Sequence, residues 1–188
     1  GGAGNDKIYL QEVVFATVDA GTGDDLIEST SRNFQQSNPG AFALKFGAGS
    51  GHDTVTTNKL RTAAQWATKH DIRSYITLDA GTAASSLRFT RSGASLVVGL
   101  SGSTDSVTVT DFFESDTSTV VQSSFDAIRL SDGTVLNRDA IVASLGRTDF
   151  GTATGAADVL LGQATGDQLN AGAGDDHVFG GDGNDQIT

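Results

Sequence analysis

The sequence predicts an all-β protein in which repeated units at both ends flank a β-rich centre. Three observations predict it. Residues 153–188 divide into nonamers: ATGAADVLL, GQATGDQLN, AGAGDDHVF and GGDGNDQIT. The same signature opens the chain as GGAGNDKIY (1–9) and returns as AGTGDDLIE (20–28) and AGSGHDTVT (48–56). Between these sets, residues 74–136 alternate apolar and polar positions, as half-buried strands do.

The repeat carries the most information. Its sixth position is always aspartate: Asp6, Asp25 and Asp53 near the start, and Asp158, Asp167, Asp176 and Asp185 at the end. Its eighth is always aliphatic: Ile8, Ile27, Val55, Leu160, Leu169, Val178 and Ile187. A fixed short period is the mark of a repeat architecture, in which each unit buries its apolar face only by stacking on the next. Composition agrees. The net charge is −11, and nearly all the acid is aspartate, with Glu only at Glu12, Glu28 and Glu114. Asp suits turns and short-reach coordination of hard cations, whereas a solvated acidic face uses Glu freely. The acidity argues for metal held in loops and against nucleic acid, whose binding needs basic stripes. There is no Cys to staple a thin core. No apolar run approaches a membrane span. Opening on Gly1-Gly2 without a Met or signal peptide, and stopping in mid-pattern at Thr188, the chain reads as a piece of a longer protein.

The final two nonamers fit G-G-x-G-x-D-x-U-x closely, with U aliphatic, and on this motif the chain resembles the RTX family of secreted calcium-binding repeat proteins. The resemblance implies a parallel β-roll, a β-solenoid in which six residues turn, three form a strand and two units complete a coil. Stacked coils lie about 4.8 Å apart, so an ion midway between two turns is about 2.4 Å from each, within the roughly 2.3–2.6 Å of Ca2+–O bonds. Magnesium, at about 2.0–2.1 Å, fits that gap badly. Without the ion the stacked carboxylates repel and the glycines gain entropy by unfolding; with it, repulsion becomes coordination. The cofactor expected is Ca2+.

Two nonamers per coil place each C-terminal turn on the turn two units later. Asp158 then pairs with Asp176 and Asp167 with Asp185, with Gly172, Gly174, Asp175, Gly181, Gly183 and Asn184 completing the sites. Ala157 and Gly166 offer no side-chain oxygen at the fifth position. Toward the N-terminus, Asp6 and Asp25 are 19 residues apart, and Asp25 and Asp53 are 28 apart. Each interval reads as one coil, the second enlarged by a far-side loop, SRNFQQSNPG (31–40), between strands LIEST and AFALKF. Calcium is expected between the 1–6 and 20–25 turns and between 20–25 and 48–53. The ligand candidates are Asn5, Asp6, Gly21, Gly23, Asp24, Asp25, Gly49, Gly51 and Asp53. His52 and His177 are expected to face solvent, because imidazole is a poor partner for Ca2+.

The organisation expected is an N-terminal roll at 1–57, a helical insert at 58–73, a β-rich capping block at 74–147 and a C-terminal roll at 148–188. The insert, NKLRTAAQWATKH, has helical spacing of Leu60, Ala63, Ala64 and Ala67 with Asn58 as cap, and a solvated basic cluster of Lys59, Arg61, Lys69, His70 and Arg73. Within the block, Ser92-Gly93 and Asp132-Gly133 read as turns. NRDAIVASLG reads as a short helix capped by Asn137, with Ile141, Val142 and Leu145 on one face and Gly146 after it. LRFTRSGASLVV, DSVTVTDFF and IRLSDGTVLNRDAI, across about 76–143, are similar to the haemolysin-type calcium-binding protein related domain. That resemblance implies a block covering the open ends of the neighbouring rolls, which would otherwise expose unpaired strand edges.

There is no H-E-x-x-H, no G-x-S-x-G and no Cys nucleophile, and the paired carboxylates all sit in repeat turns, so no enzyme activity is expected. His70 beside Asp71 is the only triad-like material. The leading expectation is a calcium-binding structural module of a larger secreted protein. Family resemblance implies partners in calcium ions, further repeats of the parent chain and the type I secretion machinery, and a place outside a Gram-negative cell or on its surface. The alternatives are an adhesin or carbohydrate-binding module, with Trp66, Tyr75, Phe112 and Phe113 as a sugar platform for a glycan or surface partner, and the non-catalytic portion of a secreted protease, lipase or polysaccharide-modifying enzyme.

Overall fold

The structure is a computed structural model that describes residues 1–11, 15–30, 41–57, 59–60, 74–113, 122–123, 125–145, 155–161, 166–180 and 183–188. Among these residues it is mostly β, with parallel-rich sheets and a single short α-helix. The strands, in chain order, begin with β1 (Gly2–Ala3), β2 (Lys7–Gln11), β3 (Phe15–Val18), β4 (Gly21–Thr22), β5 (Leu26–Thr30), β6 (Ala41–Phe46) and β7 (His52–Thr56). They continue with β8 (Lys59–Leu60), β9 (Ser74–Leu78), β10 (Leu87–Ser92), β11 (Ser95–Leu100), β12 (Ser106–Val109), β13 (Gln122–Ser123), β14 (Phe125–Arg129) and β15 (Val135–Asn137). Helix α1 (Arg138–Ala143) follows, then β16 (Val159–Leu161), β17 (Gln168–Leu169), β18 (His177–Phe179) and β19 (Gln186–Ile187).

Two sheets carry most of the chain. One has the order β10-β11-β12-β7-β5-β2 and the other β15-β14-β9-β6-β3. From β2 onward the chain crosses between them in turn: β2, β5, β7 and β12 fall in the first, β3, β6, β9 and β14 in the second. Within each set every neighbour is parallel. The register follows the motif spacing: Lys7 pairs with Leu26 and Leu26 with Thr54, so each repeat lies on the next. LIEST and AFALKF form β5 and β6; the loop at 31–40 between them lies outside the described residues.

Alternation decides which side chains meet. Ile27 and Val55 from the first sheet face Phe42, Leu44, Phe46, Ile76 and Leu78 from the second in one core, which also takes in Val107, Val109, Phe112, Phe125 and Ile128. Each such side chain contributes about 1.5–3 kcal/mol by leaving water. The eighth-position residues of β5 and β7 are fully buried, whereas Tyr9 and Phe15, on the outermost strands β2 and β3, are exposed.

The central block attaches strand by strand. It lies on the open end of the stack and extends both sheets. Ser74–Leu78 pairs parallel with β6, β12 with β7, and β14 with β9. Antiparallel pairing starts only beyond them, at β11 against β12, β10 against β11, and β15 against β14. The first hairpin turns at Gly93-Ala94, one residue later than predicted, because Ser92 pairs with Ser95 and Gly93 takes the positive φ of the first loop position. The Asp132-Gly133 turn falls as predicted, with Gly133 at φ 93°.

Lys59 and Leu60, expected in a helix, are a strand paired with Gln122 and Ser123. Here pairing across the chain overrides helical periodicity. Residues 61–73, with Trp66 and most of the basic cluster, and Asn58 lie outside the described residues. Helix α1 is capped as predicted: the Asn137 side chain accepts the Ala140 N–H at 2.9 Å. Its inner face is Ala140 and Ile141, while Val142 is exposed rather than inward. Arg138 fixes the helix to the core, its guanidinium 4.0 Å over the Phe112 ring and donating to the Phe112 carbonyl.

At the C-terminus, β16 pairs parallel with β18 and β17 with β19, Val159 opposite His177 and Gln168 opposite Gln186. This is the predicted two-unit stacking. Leu160 is buried, and Phe179 packs against the main core.

Candidate metal centre

Stacked turns bring their sixth-position aspartates one over another, from successive motifs in the N-terminal set and from motifs two units apart in the C-terminal set. The Asp6 N–H donates to Asp25 Oδ1 at 2.7 Å, and the Asp25 N–H to Asp53 Oδ1 at 3.1 Å. At the other end the Asp158 N–H donates to Asp176 Oδ1 at 2.9 Å, and the Asp167 N–H to Asp185 Oδ1 at 3.0 Å. One carboxylate oxygen thus fixes the stacking of backbone on backbone in all four layers, and the second is left for other work.

In the N-terminal layers that second oxygen has nothing to do. Asp25 and Asp53 are 2% and 1% exposed, and the Oδ2 of each is buried without a hydrogen-bond partner. A buried carboxylate oxygen with no partner loses its hydration uncompensated, a cost of several kcal/mol unless a cation takes it up. Burial, the largest cause, pushes the Asp53 carboxyl from 3.8 up to about 6; the Asp25 N–H opposes this, and the charges of Asp25, Asp24 and Asp105 add to it. The donors here are oxygens alone, the set a hard divalent ion takes, and the residues therefore fit calcium. Among the described residues no three His, Cys, Asp or Glu side chains gather at one point. Each layer offers two aspartates from successive turns, so backbone carbonyls must complete any coordination.

The raised Asp53 pKa has a measurable consequence in metal-free protein. Stability from the protonated carboxyl is fully present below 3.8 and is lost as pH rises through about 6. Urea midpoints in excess chelator are expected to be higher near pH ~5 than near pH ~7. Replacing Asp53 with Asn should flatten that part of the pH dependence.

At the fifth position the side chains bond from one turn to the next. Asn5 Oδ1 accepts the Asp24 N–H at 3.0 Å, and Asp24 Oδ1 accepts the His52 N–H at 3.0 Å. These side chains tie a turn to its successor. Asp175 and Asn184 are exposed on their turns, as are His52 and His177. The repeat glycines Gly21, Gly23, Gly49, Gly51, Gly172, Gly174 and Gly183 all have positive φ; Gly181 lies outside the described residues. At Gly51 a Cβ would stand 2.2 Å from the Gly23 carbonyl oxygen, so only glycine lets successive turns approach.

One residue of the site escaped the sequence reading. Asp105 accepts the Gly49 N–H through Oδ2 and the Gly51 N–H through Oδ1, both at 2.8 Å. The Ser103 hydroxyl also donates to it, and these bonds, the hydroxyl first, hold its carboxyl below the usual range. The signal was present. Aligning Val109 with the eighth-position Val55, as the β12–β7 register does, sets Asp105 opposite the fourth-position Gly51.

Of the aromatics considered for a sugar platform, Trp66 lies outside the described residues. Phe112 is fully buried, with Phe113 edge-on to it at 4.8 Å and Arg91 over Phe113. Tyr75 lies between Phe15, stacked at 5.9 Å, and the Arg129 guanidinium.

Glycine turns stacked carboxylate on amide define a repeat architecture. Residues 152–187 match the RTX calcium-binding nonapeptide repeat (4 copies), and residues 96–140 match the haemolysin-type calcium binding protein related domain. The chain therefore carries RTX repeats, which bind Ca2+, followed back along the sequence by the related domain. Both matched regions are non-catalytic. No curated protein matches the chain. No helix among the described residues is long and apolar enough to cross a membrane.

Proposed function

We propose that both sets of turns are the coils of a parallel β-roll whose layers are bridged by calcium, and that the chain is a structural module of a larger secreted protein. The observation that carries this reading is the Asp N–H to Asp Oδ1 bond. It occurs at the same repeat position inside the matched array (Asp158 to Asp176, Asp167 to Asp185) and outside it (Asp6 to Asp25, Asp25 to Asp53). The ligands are these aspartates together with carbonyls of the repeat glycines. The block at 74–147 serves as the cap of the N-terminal roll, entering its sheets through parallel strands and closing them with antiparallel hairpins.

RTX proteins are typically secreted. For this chain the physical logic is a switch: acidic glycine-rich turns are held only weakly where calcium is scarce, pass a type I export channel unfolded, and fold firmly outside. Extracellular modules bind calcium with Kd about 10⁻⁴–10⁻³ M, which suits millimolar surroundings, and several sites acting together sharpen the response. Circular dichroism tests it. In chelator the spectrum should lose β signal, and calcium should restore it; identical spectra in both conditions would overturn the reading.

A further inference from the structure

Asp105 occupies a place that another repeat turn would fill. In the first turn the second- and fourth-position amides donate to the turn that follows: Gly2 N–H to the Ala20 carbonyl at 3.3 Å and Gly4 N–H to the Thr22 carbonyl at 2.8 Å. In the 48–53 turn the same two positions are Gly49 and Gly51, and both amides donate to one carboxylate, that of Asp105. A bidentate side chain stands where two alternate carbonyls of the next turn would be. The Ser106 N–H donating to the Gly51 carbonyl at 2.9 Å continues the backbone pairing beside it, and Ser103 holds the carboxylate from behind.

Hydrogen bonds to an ionised acceptor are about twice as strong as neutral ones. A turn gripped by a carboxylate therefore needs no ion on that side to keep its shape. The contrast with the other side of the same turn is sharp, where Asp53 Oδ2 is buried and without a partner. The 48–53 turn is thus organised by protein on one face and incomplete on the other.

We infer that Asp105 is a positioning residue for calcium: it holds the 48–53 turn in its ion-receiving form before any ion arrives, so that the layer between 20–25 and 48–53 fills first and the stack then grows toward residue 1. The inference rests on the calcium reading of these turns. It makes the central block the template on which the N-terminal coils assemble.

The test uses the whole chain and follows backbone amides by nuclear magnetic resonance. In excess chelator, Gly49 and Gly51 amides are expected to be protected from hydrogen exchange, while Gly2 and Gly4 exchange freely. In a calcium titration Gly23 and Gly51 should respond at lower calcium than Gly4. D105N removes the charge and turns a donor toward one of the two amides. It should raise the calcium midpoint at Gly23 and Gly51 about tenfold, the loss of roughly one charge-assisted bond, while the midpoints at Gly174 and Gly183 hold. Unprotected Gly49 and Gly51 in chelator, or an N-terminal midpoint unmoved in D105N, would overturn the inference and leave the calcium reading intact. N-terminal amides that ignore calcium in the unmodified chain would remove the calcium reading, and the inference with it. If D105N costs the central block its fold, seen as loss of the Val107 and Val109 signals, the exchange result on the unmodified chain still decides.

Discussion

Replacing Asp25 with asparagine is expected to strengthen the chelated protein and weaken the calcium-loaded one. Asp25 is the shared member of the two N-terminal layers: its Oδ1 accepts from Asp6, its own N–H donates to Asp53, and its Oδ2 is buried without a partner. Asparagine keeps an oxygen for the Asp6 amide and removes a buried charge. In chelator, losing an uncompensated charge should stabilise the N-terminal stack by about 1–3 kcal/mol. In calcium the same change deletes a charged ligand from both layers at once. Breaking a buried charge pair by removing one partner costs about 3–5 kcal/mol, and the loss should appear as two fewer ions in a binding titration. Urea midpoints measured with and without calcium must therefore move in opposite directions. A shift of the same sign in both would show that Asp25 is a structural hydrogen bonder alone.

Gly51→Ala is expected to cost about 3 kcal/mol or more, with most of the loss in the N-terminal calcium response. Two penalties add. Gly51 has φ 87°, a conformation that costs an L residue roughly 1–2 kcal/mol. Its Cβ would also meet the Gly23 carbonyl oxygen at 2.2 Å, and backbone is on both sides of that contact, so relief means separating the turns. Separation lengthens the Asp25–Asp53 hydrogen bond and opens the gap an ion must span. Gly81→Ala, outside the repeat turns, is the control: its φ is 86°, but a Cβ there meets nothing within 4 Å. It should show the conformational cost without the loss of calcium response. Thermal melts and calcium titrations of both variants separate the two effects.

The repeat turns were legible because their chemistry is local. A glycine that must take positive φ and an aspartate at a fixed step leave the same mark at every occurrence, and the 19- and 28-residue spacings translated directly into the Lys7–Leu26 and Leu26–Thr54 registers. What sequence could not show was pairing decided by distant chain. Lys59 and Leu60 sit in a helical pattern and yet pair as a strand with Gln122 and Ser123. Val142 has helical spacing with Ile141 and Leu145, but the helix turns its Ala140–Ile141 side to the core. Phe112 was drawn as a surface aromatic, since nothing nearby in sequence announces the Arg138 and Phe125 that enclose it. Asp105 lies outside any complete nonapeptide, and its role depends on Gly49 and Gly51 more than fifty residues earlier.

The spacing of the parallel ladder has one more consequence. Successive steps in the first sheet consume 19, 28 and 54 residues, yet the turns they deliver stay in register. The surplus of the second step falls between β5 and β6, away from the glycine turns; the third step also inserts the β10–β11 hairpin between β9 and β12. Lengthening a flexible connection costs only about 0.6 kcal/mol per doubling. The architecture therefore behaves like a bound book, with the spine fixed and the pages free to differ in width, and foreign peptides grafted opposite the glycine edge should leave the binding of ions untouched.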